Sequence, residues 1–385
     1  MNLIIAALLL AGVSSQTNSF TVTVVPPVHG KLEVNPPLPA DGKYPAGTVI
    51  TLKTTPDAGY VLDSAWYSVP GLFGQMYHEG MTREFKVTID QNKRVGASFI
   101  EEAAVSHINV TNDVVYAKPG VKPLKYDVFA PKGARNLPCI VIIHGGGWNA
   151  NDEDIMRGLA RELTKGGRFV VFSIDYRWLG KADGDATSNT MANLIEDVFG
   201  AVAHIMEHAK EYGGDPTRIG LTGDSAGGHL SAAASLMTNM IGSGGFMPSY
   251  LPKNKSVDQV RTDMLSAIKA AAPSYGVFGP AMLKGFSPED ADAVAPLNHI
   301  PAASERSVPQ YLTRGTKDPL ISNASVTEFV DALVKAGQRV EYVQVGGASH
   351  AFFDWKPNDR TKATFAQFGV YYAAEMKAFF MSVLY

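Results

Sequence analysis

The segment Arg218-Ile-Gly-Leu-Thr-Gly-Asp-Ser-Ala-Gly-Gly-His229 constrains the fold of this chain more than any other. An apolar, strand-like run over 219–222 leads into Gly223-Asp224-Ser225-Ala226-Gly227, and an Ala-rich, helix-like run over 230–237 leaves it. A serine at the tip of a tight strand-to-helix turn sits in strained backbone geometry, so its neighbours must be small for the chain to double back. Gly223 and Gly227 meet that demand, helped by Ala226 and Gly228. Such a turn lifts the hydroxyl above a sheet and aims the first amides of the helix at whatever lies over it. The segment therefore predicts a nucleophile elbow at Ser225 rather than an ordinary Gly-rich turn.

A second motif points the same way. The continuous apolar run 139–143 is what a strand buried on both faces requires, and it enters His144-Gly145-Gly146-Gly147-Trp148 directly. Acyl transfer needs backbone N–H groups close to a developing oxyanion, and glycine permits that approach. Gly145, Gly146 and Ala226 are the expected oxyanion donors.

With these residues in place the chain resembles the hormone-sensitive-lipase-like esterases of the α/β-hydrolase fold, most closely their feruloyl-esterase-like and carboxylesterase-like members. The resemblance covers roughly residues 105–385. It is carried by His144-Gly-Gly-Gly-Trp148 and Gly223-Asp-Ser-Ala-Gly-Gly-His229, with Ile174-Asp-Tyr-Arg177 and Tyr212-Gly-Gly-Asp-Pro-Thr-Arg218 as further matches. Two departures are visible. Arg314-Gly-Thr-Lys-Asp318 stands where His-Gly-Thr-x-Asp is usual, and the loop 238–262 reads as long. The resemblance implies a serine ester hydrolase that needs no metal or organic cofactor. It also implies the chain order serine, acid, histidine.

That order selects the rest of a triad. Only His299 and His350 lie well beyond the elbow and its helix. His350 follows a strand-like run, 338–345, on the loop Gly346-Gly-Ala-Ser-His350, whereas His299 sits in a Pro-flanked stretch and reads as structural. Asp318 follows the strand-like run 308–313 and so lies at the same end of a sheet, while Glu328 and Asp331 fall inside the next helical pattern. Asp318 is expected to orient His350 as the base for Ser225. His204 and His208 are four apart on a helix, a metal-ligand spacing, but no carboxylate completes a metal motif, and metal binding is not expected. His229 reads as a packing residue and His144 as a support for the oxyanion loop. Trp148, Trp178 and Trp355 are candidate substrate-lining residues, each open to a core role instead.

The predicted fold class is α/β: a doubly wound, mostly parallel sheet preceded by a small all-β module. Strands near 125–130, 139–143, 169–175, 219–222, 267–272, 308–313 and 340–345 alternate with helices near 153–165, 191–212, 226–239, 325–336 and 363–383. The domain at 104–385 holds these elements, and its active site belongs at the carboxyl ends of the strands.

Residues 19–100 form a separate unit of short strands with Pro, Gly and Asp turns. It resembles the divergent internalin-type B-repeat through Tyr44-Pro-Ala-Gly-Thr48, Thr55-Pro-Asp-Ala-Gly-Tyr60, Trp66 and Val95-Gly-Ala-Ser-Phe99. A loop over 64–80 carries Trp66, Tyr67, Phe73 and Tyr77. Trp66 is expected in the core, and the others are open to packing on the catalytic domain, contacting a ligand or forming a dimer interface, with a loosely tethered spacer as the alternative for the module. Residues 101–106 read as the linker.

Among 385 residues 18% are charged and the net charge is −3, so neither nucleic acid nor an anionic membrane is indicated. Cys139 is the single cysteine, which excludes an intramolecular disulfide. The apolar run 3–13 is too short to span a bilayer. Followed by Val13-Ser-Ser-Gln16, it predicts a secretory signal peptide over 1–15 and a secreted or periplasmic protein. No later segment reads as transmembrane. The predicted substrate is a small-molecule or polymer-linked carboxylic ester, of short-chain or aromatic acyl type. Plant cell-wall feruloyl or acetyl esters and a side activity on polyesters fall within that range. A homodimer stays open. So do two alternatives: a serine peptidase of the same fold, and an inactive hydrolase scaffold used for binding or adhesion.

Overall fold

The computed structural model describes residues 18–71, 74–242 and 244–385. The expected signal segment 1–15 and Phe73 lie outside them. The chain divides into two compact units, Met1–Ile100 and Glu101–Tyr385.

The first unit is all β among its described residues. It contains β1 (Ser19–Val24), β2 (Gly30–Asn35), β3 (Lys43–Pro45), β4 (Val49–Pro56), β5 (Tyr60–Gly71), β6 (Gly74–Gly80), β7 (Glu84–Thr88) and β8 (Lys93–Glu101). They form one sheet in the order β3-β1-β8-β5-β6 and a second in the order β2-β4-β7. Val22, Ile50, Leu52, Val87, Ile89 and Val95 close the core between them. The segment read as a loop, 64–80, is instead a hairpin: β5 and β6 pair antiparallel from Ala65↔Gly80 to Gly71↔Gly74. Its aromatic residues find partners in their own unit. Trp66 is buried, with Gly96 of β8 against its ring and Tyr77 edge-on at 5.3 Å. Tyr67 stacks on His78 at 4.6 Å, and the Lys93 ammonium sits 4.2 Å from the ring centroid. Tyr67 and Tyr77 are both partly buried.

The second unit opens with β9 (Ile108–Ala117), β10 (Leu124–Pro131) and β11 (Leu137–Ile143), followed by α1 (Arg157–Thr164), β12 (Val170–Ile174) and α2 (Met191–His208). Next come β13 (Gly214–Asp224), α3 (Ala226–Leu236), α4 (Val257–Ala267), β14 (Ile268–Ser274), α5 (Pro280–Leu283) and α6 (Ala291–Val294). The unit ends with β15 (Gln310–Gly315), α7 (Asn323–Lys335), β16 (Val340–Val345), α8 (Asp359–Thr364) and α9 (Val370–Leu384). The sheet runs β16-β15-β14-β13-β11-β12-β10-β9. The pairs from β16 to β12 are parallel, and β10 is antiparallel to both β12 and β9.

The central strands are apolar throughout because helices cover both faces. Cys139, Ile140, Val141, Ile142 and Ile143 of β11 are all fully buried. Several elements depart from the sequence reading. β9 is an additional edge strand, bent by a bulge opposite Tyr126 and Val128 where Asp113 takes φ 60°. The region read as a long loop contains α4, whose Ser256 and Gln259 cap each other reciprocally. β16 closes the opposite edge and is only partly covered. The expected helix over 363–383 is α8 and α9 joined by a π-helical turn at Phe365–Gly369.

Close packing of α9 on β13 sets the floor beneath the elbow. A Cβ on Gly220 would lie 2.5 Å from Cε1 of the buried Phe380 ring. Gly220→Ala is therefore expected to cost about 1–3 kcal/mol of unfolding free energy by overpacking. Chemical denaturation is the check, and an unchanged midpoint would show that the α9–β13 contact yields.

Candidate active site

β13 delivers Ser225 to the carboxyl edge of the sheet, and α3 begins at the next residue. Ser225 has φ 54° and ψ −115°, a conformation that a non-glycine residue adopts only when its surroundings impose it. The imposition is steric and hydrogen-bonded. The Ser225 amide donates to the Ser274 carbonyl at 2.9 Å, and the Ser225 carbonyl accepts from the His229 amide at 3.1 Å. A Cβ on Gly227 would collide with the Ile143 carbonyl. Only a glycine there lets α3 press against β11 and aim its N-terminus at Ser225.

Three side chains from three loops meet at this point. Ser225 Oγ lies 2.8 Å from His350 Nε2, and His350 Nδ1 lies 2.8 Å from Asp318 Oδ2. Asp318 accepts two further bonds at Oδ1, from the amides of Leu320 at 2.9 Å and Ile321 at 3.0 Å. Burial opposes its charge, but the His350 hydrogen bond and charge, with the two amides, outweigh burial and hold its pKa below the usual carboxylate value. An ionised Asp318 accepts only, so Nδ1 of His350 carries the hydrogen and Nε2 presents a lone pair to the Ser225 hydroxyl. Asp331 is exposed on α7 and Glu328 likewise. His299 lies on a short 3-10 turn, Pro296–His299.

The loop after β11 bends back over the elbow. Gly146 and Gly147 have φ 130° and 61°, and Trp148 follows at 63°. A Cβ on Gly146 would strike the Ala150 carbonyl. The amide of Gly145, expected as an oxyanion donor, is committed elsewhere: it donates to Asp224 Oδ1 at 2.7 Å. Among the described residues no acceptor is seen for the amides of Gly146 and Gly147. The Ala226 amide is one of the first-turn amides of α3, which have no intrahelical acceptor.

His144 braces this loop from below. Its Nδ1 faces the Gly145 carbonyl at 2.7 Å and its Nε2 faces Asp175 at 3.3 Å. Tyr176 stacks on its ring at 4.2 Å and donates its hydroxyl to the His144 carbonyl at 2.9 Å. Asn151 adds a bond to the Gly145 carbonyl at 3.2 Å.

The three tryptophans have separate settings. Trp148, on the loop after β11, is buried and donates its indole N–H to His229 Nδ1 at 3.2 Å. His229 Nε2 donates in turn to the Val294 carbonyl at 3.0 Å. Phe286, half exposed, packs on the Trp148 ring at 4.7 Å. Trp178 donates to the Asn151 carbonyl at 3.0 Å, with the Lys122 ammonium 4.5 Å from its centroid. Trp355, expected to line the substrate site, packs instead on Gly158 of α1 and edge-on to Phe365 at 5.3 Å. The tight Gly158 contact fixes it in the helical layer.

Sequence reasoning missed Asp224, Asp354, Tyr176 and Asn151. Asp224 was in plain view inside the elbow motif, and Tyr176 inside Ile174-Asp-Tyr-Arg177. Asp354 and Asn151 carry no local signal, because their roles come from loops that meet only in space.

The bonding of His229 yields a test. Burial lowers its pKa to about 4 from an ordinary 6.5, so it stays neutral in the folded state while the unfolded chain takes up a proton below 6.5. Its contribution to stability is full above pH 6.5 and lost as pH falls towards 4, a window worth about 3 kcal/mol. His229→Gln should flatten the fall in unfolding free energy between pH 7 and 4.5. Denaturant titrations with equal slopes for the two proteins would refute that linkage.

A family model described as BD-FAE matches residues 126–333, and one described as the divergent InlB B-repeat domain matches 20–103. Esterase LipQ of Mycobacterium tuberculosis is 29% identical over 269 residues, covering 63% of this chain and 57% of LipQ. Carboxylesterase NlhH of the same organism is 36% identical over 124 residues, covering 32% of this chain and 37% of NlhH. The chain thus spans less than two thirds of the length of either curated relative. A thermophilic esterase of Thermogutta terrifontis, Est2 with propionate bound, superposes with TM-score 0.53 and 26% identity, over 71% of this chain and 94% of Est2. With over half its length matched by that model and the α/β-hydrolase core beneath it, the chain belongs to the BD-FAE family, an esterase family.

Proposed function

We propose that the chain hydrolyses carboxylic esters through Ser225, His350 and Asp318. The observation that carries this reading is the unbroken hydrogen-bond chain from the Ser225 hydroxyl through His350 to Asp318, at a serine held with positive φ on a strand-to-helix turn. His350 Nε2 takes the hydroxyl proton as Ser225 attacks the ester carbonyl, and Asp318 stabilises the imidazolium. The new oxyanion is held by the amides of Gly146, Gly147 and Ala226, aided by the positive end of α3. His350 then returns the proton to the departing alkoxide, and water repeats the sequence on the acyl-enzyme. The unbroken triad speaks against an inactive scaffold, and nothing seen favours a peptidase.

An apolar acyl or alcohol group suits the surroundings. Phe286 and Leu320 are 50% and 51% exposed; the first packs on Trp148 beside the oxyanion loop, and the amide of the second bonds Asp318. Structures of the Thermogutta terrifontis esterase carry propionate and butyrate, and short acyl groups are the natural starting point here. Aromatic acyl groups such as hydroxycinnamates follow from the same apolar rim. The motifs His144-Gly-Gly-Gly-Trp148 and Gly223-Asp-Ser-Ala-Gly-Gly228 support reading the reaction as that of the hormone-sensitive-lipase-like esterases. We read residues 1–15 as a secretory signal, 19–100 as a B-repeat-like module and 104–385 as the catalytic domain. Among the described residues no helix is long and apolar enough to cross a membrane.

Ser225→Ala should lower turnover of a chromogenic butyrate ester by several orders of magnitude while leaving the folded protein intact. A folded mutant with near-normal turnover would end the esterase reading.

Asp318→Asn should cost about a thousandfold or more, because the amide favours the wrong imidazole tautomer. Asp331→Asn should leave kcat/KM unchanged, and the reverse ranking would move the acid to α7.

Phe286→Ala should lower kcat/KM for a hydroxycinnamate ester by about tenfold relative to an acetate ester. Equal effects on both would remove Phe286 from the substrate rim.

A further inference from the structure

Asp224 precedes Ser225 and is buried, and among the described residues it forms no ion pair with a cation. Its Oδ1 accepts the Gly145 amide at 2.7 Å. Its carboxyl is also hydrogen-bonded to the carboxyl of Asp354. Asp354 is buried as well, four residues beyond His350, and its Oδ2 is held by the Lys356 ammonium at 3.0 Å. Two carboxyl groups in hydrogen-bond contact cannot both ionise, and one must carry the proton as donor. Asp354 Oδ2 already takes the Lys356 ammonium, so Asp354 is read as the acceptor of the shared bond and Asp224 as its donor.

We propose that Asp224 is a positioning residue that works as a neutral carboxylic acid: its O–H, donated to Asp354, fastens the oxyanion loop to the turn that follows His350, and loss of that proton at high pH loosens the loop. This rests on the ester-hydrolase reading for its effect on catalysis but not for the bond itself.

The connection is economical in space. Gly145 stands one residue before the oxyanion amides, Asp224 one residue before Ser225, and Asp354 on the far side of the Ala351 turn, where φ is 61°. A single carboxyl thus spans the three loops that must stay in register. Two phenols and two charged groups face it. Tyr176 after β12 and Tyr275 after β14 both face Asp224, and burial foremost keeps both phenols far above their ordinary 10 and therefore neutral. Asp354 and Lys356 are the charged groups that face it. Burial first, then the Asp354 charge, raise the Asp224 carboxyl well above the ordinary value, against the Gly145 amide and Lys356, which favour ionisation. When hydroxide takes the proton, water forms and two carboxylates are left in contact in a buried site. The Asp224–Asp354 contact then becomes repulsive, and Gly145 moves with Asp224.

The sign of the stability effect follows from the direction of the shift. A carboxyl raised on folding contributes its full stabilisation below the ordinary carboxyl pKa and loses it as pH rises through the folded value. The alkaline side is where the bond fails.

The test uses the full chain and three variants, with a chromogenic butyrate ester followed from pH 6 to pH 10. Asp224→Asn keeps an acceptor for Gly145 and a donor for Asp354 but cannot titrate. Asp224→Ala should lose about a hundredfold in kcat with KM moved less than about threefold, the mark of lost oxyanion stabilisation. Asp224→Asn should recover at least about tenfold of that loss, and the fall in kcat at high pH should flatten. Asp354→Asn, whose amide can donate to an ionised Asp224, should flatten the same fall, and it serves if the alanine variant does not fold. An Asn variant of Asp224 as poor as the Ala variant overturns the proposal, because an ion would then be what the site needs. A high-pH fall retained in both Asn variants overturns it too.

Thermal unfolding decides the matter without any turnover. Between pH 7 and pH 10 the natural chain should lose several degrees more in Tm than Asp224→Asn. Equal losses overturn the proposal. If the natural chain turns over no ester, the ester-hydrolase reading fails by itself, and the comparison of Tm still decides for or against the shared proton.

Discussion

The contact on which the site depends is the approach of α3 to β11 through Gly227. With no side chain at that position, the first turn of the helix lies against the Ile143 carbonyl, and β13 and α3 can join through one strained residue. Everything at the site inherits its position from that approach. The helix amides point at the serine, the serine hydroxyl points away from the sheet, and the loop after β11 is brought over both. The strain at Ser225 amounts to a kcal/mol or more, small against the apolar area buried by β11, β13 and α3, which is why the fold sustains it.

The parts of the structure that were readable in the sequence share one property: their evidence is local. β11 announced itself as an unbroken apolar run, the elbow as small residues around a serine, and β16 by its β-branched alternation. Ser225, Asp318 and His350 could be picked out because each sits at a fixed place after a strand, so chain order and strand ends suffice. α4 was missed although Ser256 and Gln259 spell out a reciprocal cap, since a Gly- and Pro-rich approach from Gly242 to Pro252 drew the eye to a loop. β9 was missed because Asn109, Thr111, Asn112 and Asp113 make a polar edge strand that lacks the apolar signature of its neighbours.

What the sequence withheld is pairing across distance. Asp224 and Asp354 are 130 positions apart by residue number, and no periodicity links them. Gly145 looked like an oxyanion donor as much as Gly146 or Gly147 did, because an amide's partner cannot be read from a run of three glycines. The tryptophans show the same gap. Trp148 and Trp355 are both aromatic residues near motif loops, yet one hydrogen-bonds behind the oxyanion loop and the other is pinned to α1 by Gly158. The hairpin of the first unit was mistaken for a loop since its strands carry aromatic residues on both faces, which hides the alternation a half-buried strand normally shows.

The sheet of the second unit ends at β9 on one side and β16 on the other, and both borders bear on how the protein behaves at high concentration. An open strand edge is a template onto which another chain can add. Along β9 the bulge at Asp113 interrupts the regular row of donors and acceptors, and the Asp113 carboxylate meets the Lys125 ammonium there. Along β16, Arg339 and Glu341 form an ion pair at 2.6 Å that an incoming strand would have to strip of water. Both borders of the sheet thus carry features, a bulge and charged side chains, of the kind that oppose the addition of a further strand.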